Sequence, residues 1–97
     1  MLLQDHVAVV TGGGRGIGLA IAECFGRAGA SVVIGEIVAE RGEAAAEQLR
    51  TQGYTATAHP LDVTDPLSCQ ALAEQVVAEQ GRIDLLVNNA GLAILGK

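Results

Sequence analysis

Short apolar runs alternate with longer helical patterns along this sequence, four of the first and three of the second. The first run, His6-Val7-Ala8-Val9-Val10-Thr11, stops at three glycines and reads as a buried strand. Ser31 to Ile34, Thr55 to His59 and Ile83 to Val87 are the other three, the third being the least apolar and so nearest an edge. Between them lie helical patterns starting at Gly16, at Ala39 and after Pro66, each ended by a glycine: Gly29, Gly53 and Gly81. The order β-α-β-α-β-α-β calls for an α/β fold with parallel strands and right-handed helical crossovers. No repeat, low-complexity stretch or linker interrupts it before residue 92, so residues 1–97 are expected to form one unit.

Spacing suggests which helix faces point inward. In the first helix Ile17, Ala20, Ile21, Cys24, Phe25 and Ala28 fall on one side. Gly26 within it costs up to about 1 kcal/mol against alanine, which calls for a close helix–sheet contact or a place in the last turn. The second helix offers a narrow face of Ala39, Gly42, Ala46 and Leu49. The third offers Leu67, Ala71, Leu72 and Val76, with Thr64 or Asp65 as its N-cap and Pro66 in its first turn.

Composition supports closely packed layers and excludes several classes. Half the chain (49%) is apolar, glycine is abundant at 13 residues, and Tyr54 and Phe25 are the sole aromatics. A formal charge of −5 argues against nucleic acid or an anionic membrane as partner. No stretch is long and apolar enough for a spanning helix, and the N-terminus lacks the pattern of a signal peptide, so a cytoplasmic setting is expected. Cys24 and Cys69 offer neither a metal site nor a disulfide framework and read as reduced, half-buried thiols.

The chemistry-bearing residues cluster at strand ends. Thr11-Gly12-Gly13-Gly14-Arg15-Gly16-Ile17-Gly18 joins the first strand to the first helix, with a GxxxGxG spacing at Gly12, Gly16 and Gly18. Such a turn lets a phosphate approach the backbone, and the helix behind it aims free N–H groups and a partial positive charge at the anion. No Gly-Lys-Ser/Thr follows, which excludes a P-loop. Glu36, 18 positions after Gly18, follows the second strand, where a carboxylate can accept hydrogen bonds from both hydroxyls of an adenosine ribose. Asp62 follows the third strand, and Asn88-Asn89 ends the fourth. Taken singly, Glu36 could be a solvated helix-entry residue, Asp62 a capping aspartate and the asparagines a turn pair. Jointly they stand at the carboxyl ends of strands, where open α/β sheets bind ligands.

With these motifs the chain resembles the N-terminal part of the short-chain dehydrogenase/reductase family over residues 3 to 91. The resemblance is carried by Thr11 to Gly18, by Asp62-Val63 and by Asn88-Asn89-Ala90-Gly91. It implies a Rossmann-type sheet, incomplete relative to the full family fold, and a nicotinamide dinucleotide cofactor. The loop from Gly12 to Gly18, including Arg15, Gly16 and Ile17, would hold the pyrophosphate, and Glu36 the adenosine ribose. Asp62 and the Val63 backbone would hold the adenine. Asn88, Ala90 and Gly91 would line the ribose beside the nicotinamide. Glu36 favours NAD, whereas Arg15 could reach the 2′-phosphate of NADP.

The implied reaction is hydride transfer between this cofactor and an alcohol or ketone, the chain supplying the cofactor-binding part. The family's proton relay, a serine and a Tyr-x-x-x-Lys pair, has no counterpart here: Ala58 stands four residues after Tyr54, and the only lysine is Lys97. No catalytic residue is therefore assigned, and the isolated chain is expected to be inactive. A non-catalytic nucleotide-binding or interaction module is the other reading. A methyltransferase with a similar sheet would not need the asparagine pair. In the family's strand order, 3-2-1-4, one sheet face would be covered by the third helix almost alone, and the fourth strand would be an open edge. Homo-oligomerisation is expected from both.

Overall fold

A computed structural model describes residues 2–12, 14 and 16–88, and the backbone of 91–94. Its elements are β1 (Val7–Thr11), α1 (Gly16–Arg27), β2 (Ser31–Glu36), α2 (Ala39–Thr51), β3 (Ala56–Pro60), α3 (Pro66–Gln80), β4 (Leu85–Asn88) and β5 (Gly91–Ile94). The strands lie in the order β3-β2-β1-β4-β5. The first four are parallel, with Val10 beside Ile34 on one flank and Val87 on the other, and Ile34 beside Ala58. This is the alternating α/β topology expected from the sequence, with the strand order of the family it resembles.

Two apolar layers lie on opposite faces of the sheet. On one, Val10, Val32, Ile34, Ala56 and Val87 meet Ala22 of α1 and Ala45, Ala46 and Leu49 of α2. On the other, Val7, Val9, Val33 and Leu61 meet Leu72 and Val76 of α3. Burying each Val or Leu side chain contributes about 1.5 to 3 kcal/mol. All of β1 is buried, as befits a strand covered on both faces.

The inward faces of the helices, the surroundings of Gly26 and the exposure of the thiols differ from the sequence expectations. The line of α1 that faces inward is Gly18, Ala22 and Gly26, flanked by half-buried Leu19, Ile21 and Phe25, while Ile17 is 78% exposed. The smallest side chains make the closest contact, so the larger ones splay to its sides. Gly26 lies in the last turn of α1, one of the two places expected for it, and a Cβ there would stand 2.9 Å from the Tyr54 ring, so the close contact it allows is with Tyr54 rather than the sheet. On α2, Gly42, Ala46 and Leu49 are buried, Ala45 joins them, and Ala39 is exposed. On α3, Leu72 and Val76 are buried, whereas Leu67 and Ala71 face solvent. Asp65 is the N-cap of α3, its side chain accepting from Leu67 N at 3.0 Å, and Gly81 closes the helix at φ 84°. Both thiols are exposed rather than half-buried.

The fourth strand is not an open edge. β5 returns antiparallel along it, pairing Leu85 with Ile94 and Asn88 with Gly91. Self-pairing of β4 with a second copy, one basis of the expected oligomer, is thereby blocked.

The start of β4 is fixed by a carboxylate. Asp84 is buried, and its Oδ2 accepts from Val7 N at 2.7 Å while its own N–H donates to Val7 O at 2.9 Å. The Arg82 guanidinium forks onto the same carboxylate, with Nη2 2.7 Å from Oδ1 and Nε 2.9 Å from Oδ2. A side chain thus takes the place of a ladder carbonyl, and the strand begins at Leu85 rather than at Ile83. Replacing Asp84 by alanine leaves Val7 N–H buried without its acceptor, and a loss of about 2 to 3 kcal/mol is expected in urea unfolding. The Arg82 hydrogen bonds, helped by Val7 N–H and opposed by burial, hold the Asp84 carboxyl below its ordinary value. A depressed folded value means that this stabilisation is present at neutral pH and is lost as pH falls below about 4 and through the folded value. Asp84→Asn is expected to flatten that acid limb of the stability profile.

Candidate functional site: a cleft at the carboxyl ends of the strands

β1 and β4 are neighbours in space but distant in sequence, and the chain leaves β1 and β4 on opposite sides of the central crossover. A crevice opens at such a switch point, beyond the carboxyl ends of the strands. Here it has two adjoining lobes of about 530 and 540 Å³. Gly12, Glu36, Ile37 and Asn88 border both. The first lobe extends to Leu61, Asp62, Val63 and Thr64, the second to Gly16, Ile17, Gly18 and Arg41.

The glycine turn is shaped by backbone needs. Gly12 has φ 66° and donates its N–H to Gly35 O at 2.7 Å, tying the turn to β2. Gly16, the first residue of α1, has φ 60°, and nothing lies within 4 Å of the place a Cβ would occupy. The α1 N-terminus therefore faces open space, with the amide groups and partial positive charge of a helix start.

Glu36 is the last residue of β2 and is only 5% exposed, which sets aside the reading of a solvated helix-entry glutamate. Its Oε1 accepts from Gly14 N at 3.1 Å; its Oε2 lies 3.4 Å from both Val38 N and Arg41 Nη1. The carboxylate stands between the two lobes. Asp62 is held in a turn, its Oδ1 accepting from Thr64 Oγ1 at 2.6 Å and from Thr64 N at 3.0 Å. The Thr64 hydroxyl, then the Thr64 amide, keep its carboxyl below the ordinary value. Ser68 Oγ takes the Asp62 N–H at 3.0 Å and fixes the loop to α3. Asp62 is thus both a turn residue and a wall of the first lobe.

Of the residues singled out in the sequence, Gly12, Gly16, Ile17, Gly18, Glu36, Asp62, Val63 and Asn88 all line the cleft. The Gly91 backbone pairs with Asn88 at the end of β4. Arg15 and Ala90 lie outside the described residues. Arg41 was missed, although a basic residue in the first turn of α2, five positions after Glu36, was visible in the sequence.

A buried carboxylate between two lobes, above a glycine turn and an open helix start, is a donor and acceptor set that fits a dinucleotide. Comparison with known proteins shows the family. The family model for short chain dehydrogenases matches residues 6–97, and the chain belongs to that family. It is 45% identical over 89 residues to an uncharacterized oxidoreductase of Mycobacterium tuberculosis, covering 92% of this chain and 34% of that protein. It is also 45% identical over 89 residues to human carbonyl reductase [NADPH] 1, covering 91% of this chain and 32% of that protein. A metagenomic short-chain oxidoreductase solved in complex with NADP superimposes with a TM-score of 0.84 at 38% identity, covering 89% of this chain and 39% of that one. The chain thus spans about a third of the length of the curated relatives it matches. No helix among the described residues is long and apolar enough to cross a membrane.

Proposed function

We propose that this chain is the cofactor-binding part of an oxidoreductase that moves hydride between a nicotinamide dinucleotide and an alcohol or ketone. The observation that carries the reading is the buried Glu36 carboxylate, set between the two lobes at the carboxyl end of the sheet. The start of α1 and the turn from Gly12 to Gly18 would hold the pyrophosphate. Glu36 would accept from the ribose hydroxyls, Asp62 and the Val63 backbone would hold the adenine, and Asn88, Ala90 and Gly91 would line the second ribose. The bound cofactor supplies the hydride chemistry. This chain's own residues bind and orient it.

NAD is the cofactor this site favours. Glu36 would face the 2′-phosphate of NADP, and two anions about 4 Å apart repel by about 1 to 4 kcal/mol, depending on exposure. Its carboxylate also gains hydrogen bonds from an unphosphorylated ribose. Calorimetric titration with each dinucleotide is expected to give the lower Kd for NAD. Tighter binding of NADP overturns the preference, and binding of neither overturns the assignment of the cleft.

A further inference from the structure

We propose that Glu36 is the positioning residue of the glycine turn: through the Gly14 amide its carboxylate holds the turn in the shape that takes a pyrophosphate, a task separate from contact with a ribose. The proposal rests on the reading of the cleft as a dinucleotide site. The turn hangs from the end of β2. Gly12 N donates to Gly35 O at 2.7 Å, and Gly14 N donates to Glu36 Oε1 at 3.1 Å. The first bond runs main chain to main chain and does not depend on the side chain at 36. The second depends wholly on the glutamate.

The carboxylate is itself held in place. Glu36 is 5% exposed, and its Oε2 lies 3.4 Å from Val38 N and from Arg41 Nη1. Its main-chain oxygen accepts from Leu61 N at 3.1 Å, and a Cβ on Gly42 would stand 3.1 Å from Glu36 Cβ, so α2 backs the stem closely. A fixed anion thus meets the turn between its left-handed residues, Gly12 and Gly16. Gly14 stands outside the GxxxGxG spacing and does not share their positive φ, so backbone freedom is not its reason. Close approach is. A Cβ there would fall 2.5 Å from Glu36 Oε1 and 2.7 Å from Arg41 Cγ, so a side chain would part the turn from the carboxylate. A carboxylate offers about four acceptor positions, so Glu36 can keep Gly14 while accepting from a ribose hydroxyl. The adenosine and pyrophosphate ends of the cleft are thereby joined through one side chain.

The test uses inorganic pyrophosphate, which has no ribose, beside NAD. Its Kd is measured for the unaltered chain, Glu36→Gln, Glu36→Ala and Gly14→Ala, with a cooperative urea transition showing that each is folded. If Glu36 served the ribose alone, loss of its charge would leave pyrophosphate binding unchanged or tighten it by relieving repulsion. The two neutral variants would then behave alike. They are expected to differ. Glu36→Gln keeps an oxygen for Gly14 N and is expected to bind pyrophosphate at least as well as the unaltered chain. Glu36→Ala lacks that acceptor and is expected to bind it about fivefold more weakly than Glu36→Gln, the effect of one lost hydrogen bond. Gly14→Ala keeps the charge, and is expected to weaken pyrophosphate by about the same factor against the unaltered chain. It decides the matter if Glu36→Ala does not fold. Equal pyrophosphate Kd values in Glu36→Gln and Glu36→Ala, or an unchanged value in Gly14→Ala, overturn the proposal. So does an unaltered chain that binds NAD but not pyrophosphate, since its turn would then hold no shape of its own for the anion. If neither ligand binds the unaltered chain, the assignment of the cleft fails and this proposal with it.

Discussion

Gly16→Val is expected to lower the affinity for the nicotinamide dinucleotide by about a hundredfold or more, the loss of roughly 3 kcal/mol of phosphate contact at a helix start. Gly16 opens α1 at the floor of the second lobe, and a Cβ there would meet no protein atom within 4 Å. A valine would thus project into the space that a pyrophosphate needs. The structure adds a cost that spacing alone does not reveal. Gly16 has φ 60°, a left-handed conformation that an L-residue adopts at about 1 to 2 kcal/mol and that a β-branched one resists most. Folding is therefore weakened as well as binding. Gly16→Ala separates the two, since it carries the backbone strain with little bulk. If Gly16→Ala binds nearly as the parent does while Gly16→Val does not, phosphate approach is the reason for the glycine. Normal binding by Gly16→Val would remove the turn from the phosphate site.

The order of the elements up to β4 and the gathering of the candidate site residues at one end of the sheet were legible because each rests on local chemistry. β-branched runs between glycine stops define β1 and β2 whatever their neighbours, and parallel topology then carries Glu36, Asp62 and Asn88 to one end of the sheet. The inward faces of α1 and α3 were less legible. Periodicity marks the large apolar residues, but close packing places Gly18, Ala22 and Gly26 at the contact and leaves Ile17 and Leu67 in solvent. The residues from Leu92 onward matched no pattern. A four-residue strand such as β5 is defined by its partner, and the pairing of Leu86 with Ala93 is a tertiary fact. Arg41 escaped for a similar reason. Its nearness to Glu36 depends on how α2 leaves β2, and no residue pattern encodes that angle.

The 97-residue chain alone is expected to show no dehydrogenase turnover and to self-associate at micromolar concentration. The relay that the family resemblance implies would need a tyrosine and a lysine at the cleft. Tyr54 instead follows α2 and packs against Gly26, at the amino end of the strands, opposite the cleft. Among the described residues, no tyrosine, lysine or histidine lines either lobe. Hydride can leave an alcohol only as its hydroxyl proton departs, and the carboxylates at these lobes, Glu36 and Asp62, are already engaged by Gly14 N and by Thr64 and belong, on this reading, to the adenosine end. Measurable oxidation of any alcohol by the chain with NAD or NADP would refute this. Turnover that appears only on adding the remaining portion of a related oxidoreductase would favour the oxidoreductase reading over a non-catalytic module. The case for association now rests on the α3 face, since β5 covers the β4 edge. A groove of about 240 Å³ lies there between α3 and the sheet, lined by Val9, Leu61, Val63, Leu72, Ile83 and Leu86. Val63 is 61% exposed and Leu67 74%. Each 100 Å² of such surface left in water forgoes about 2.5 kcal/mol, a large share of the margin of so small a domain. Light scattering and sedimentation decide the matter: a stable, monodisperse monomer would mean that α3 and β5 together cover enough of the sheet.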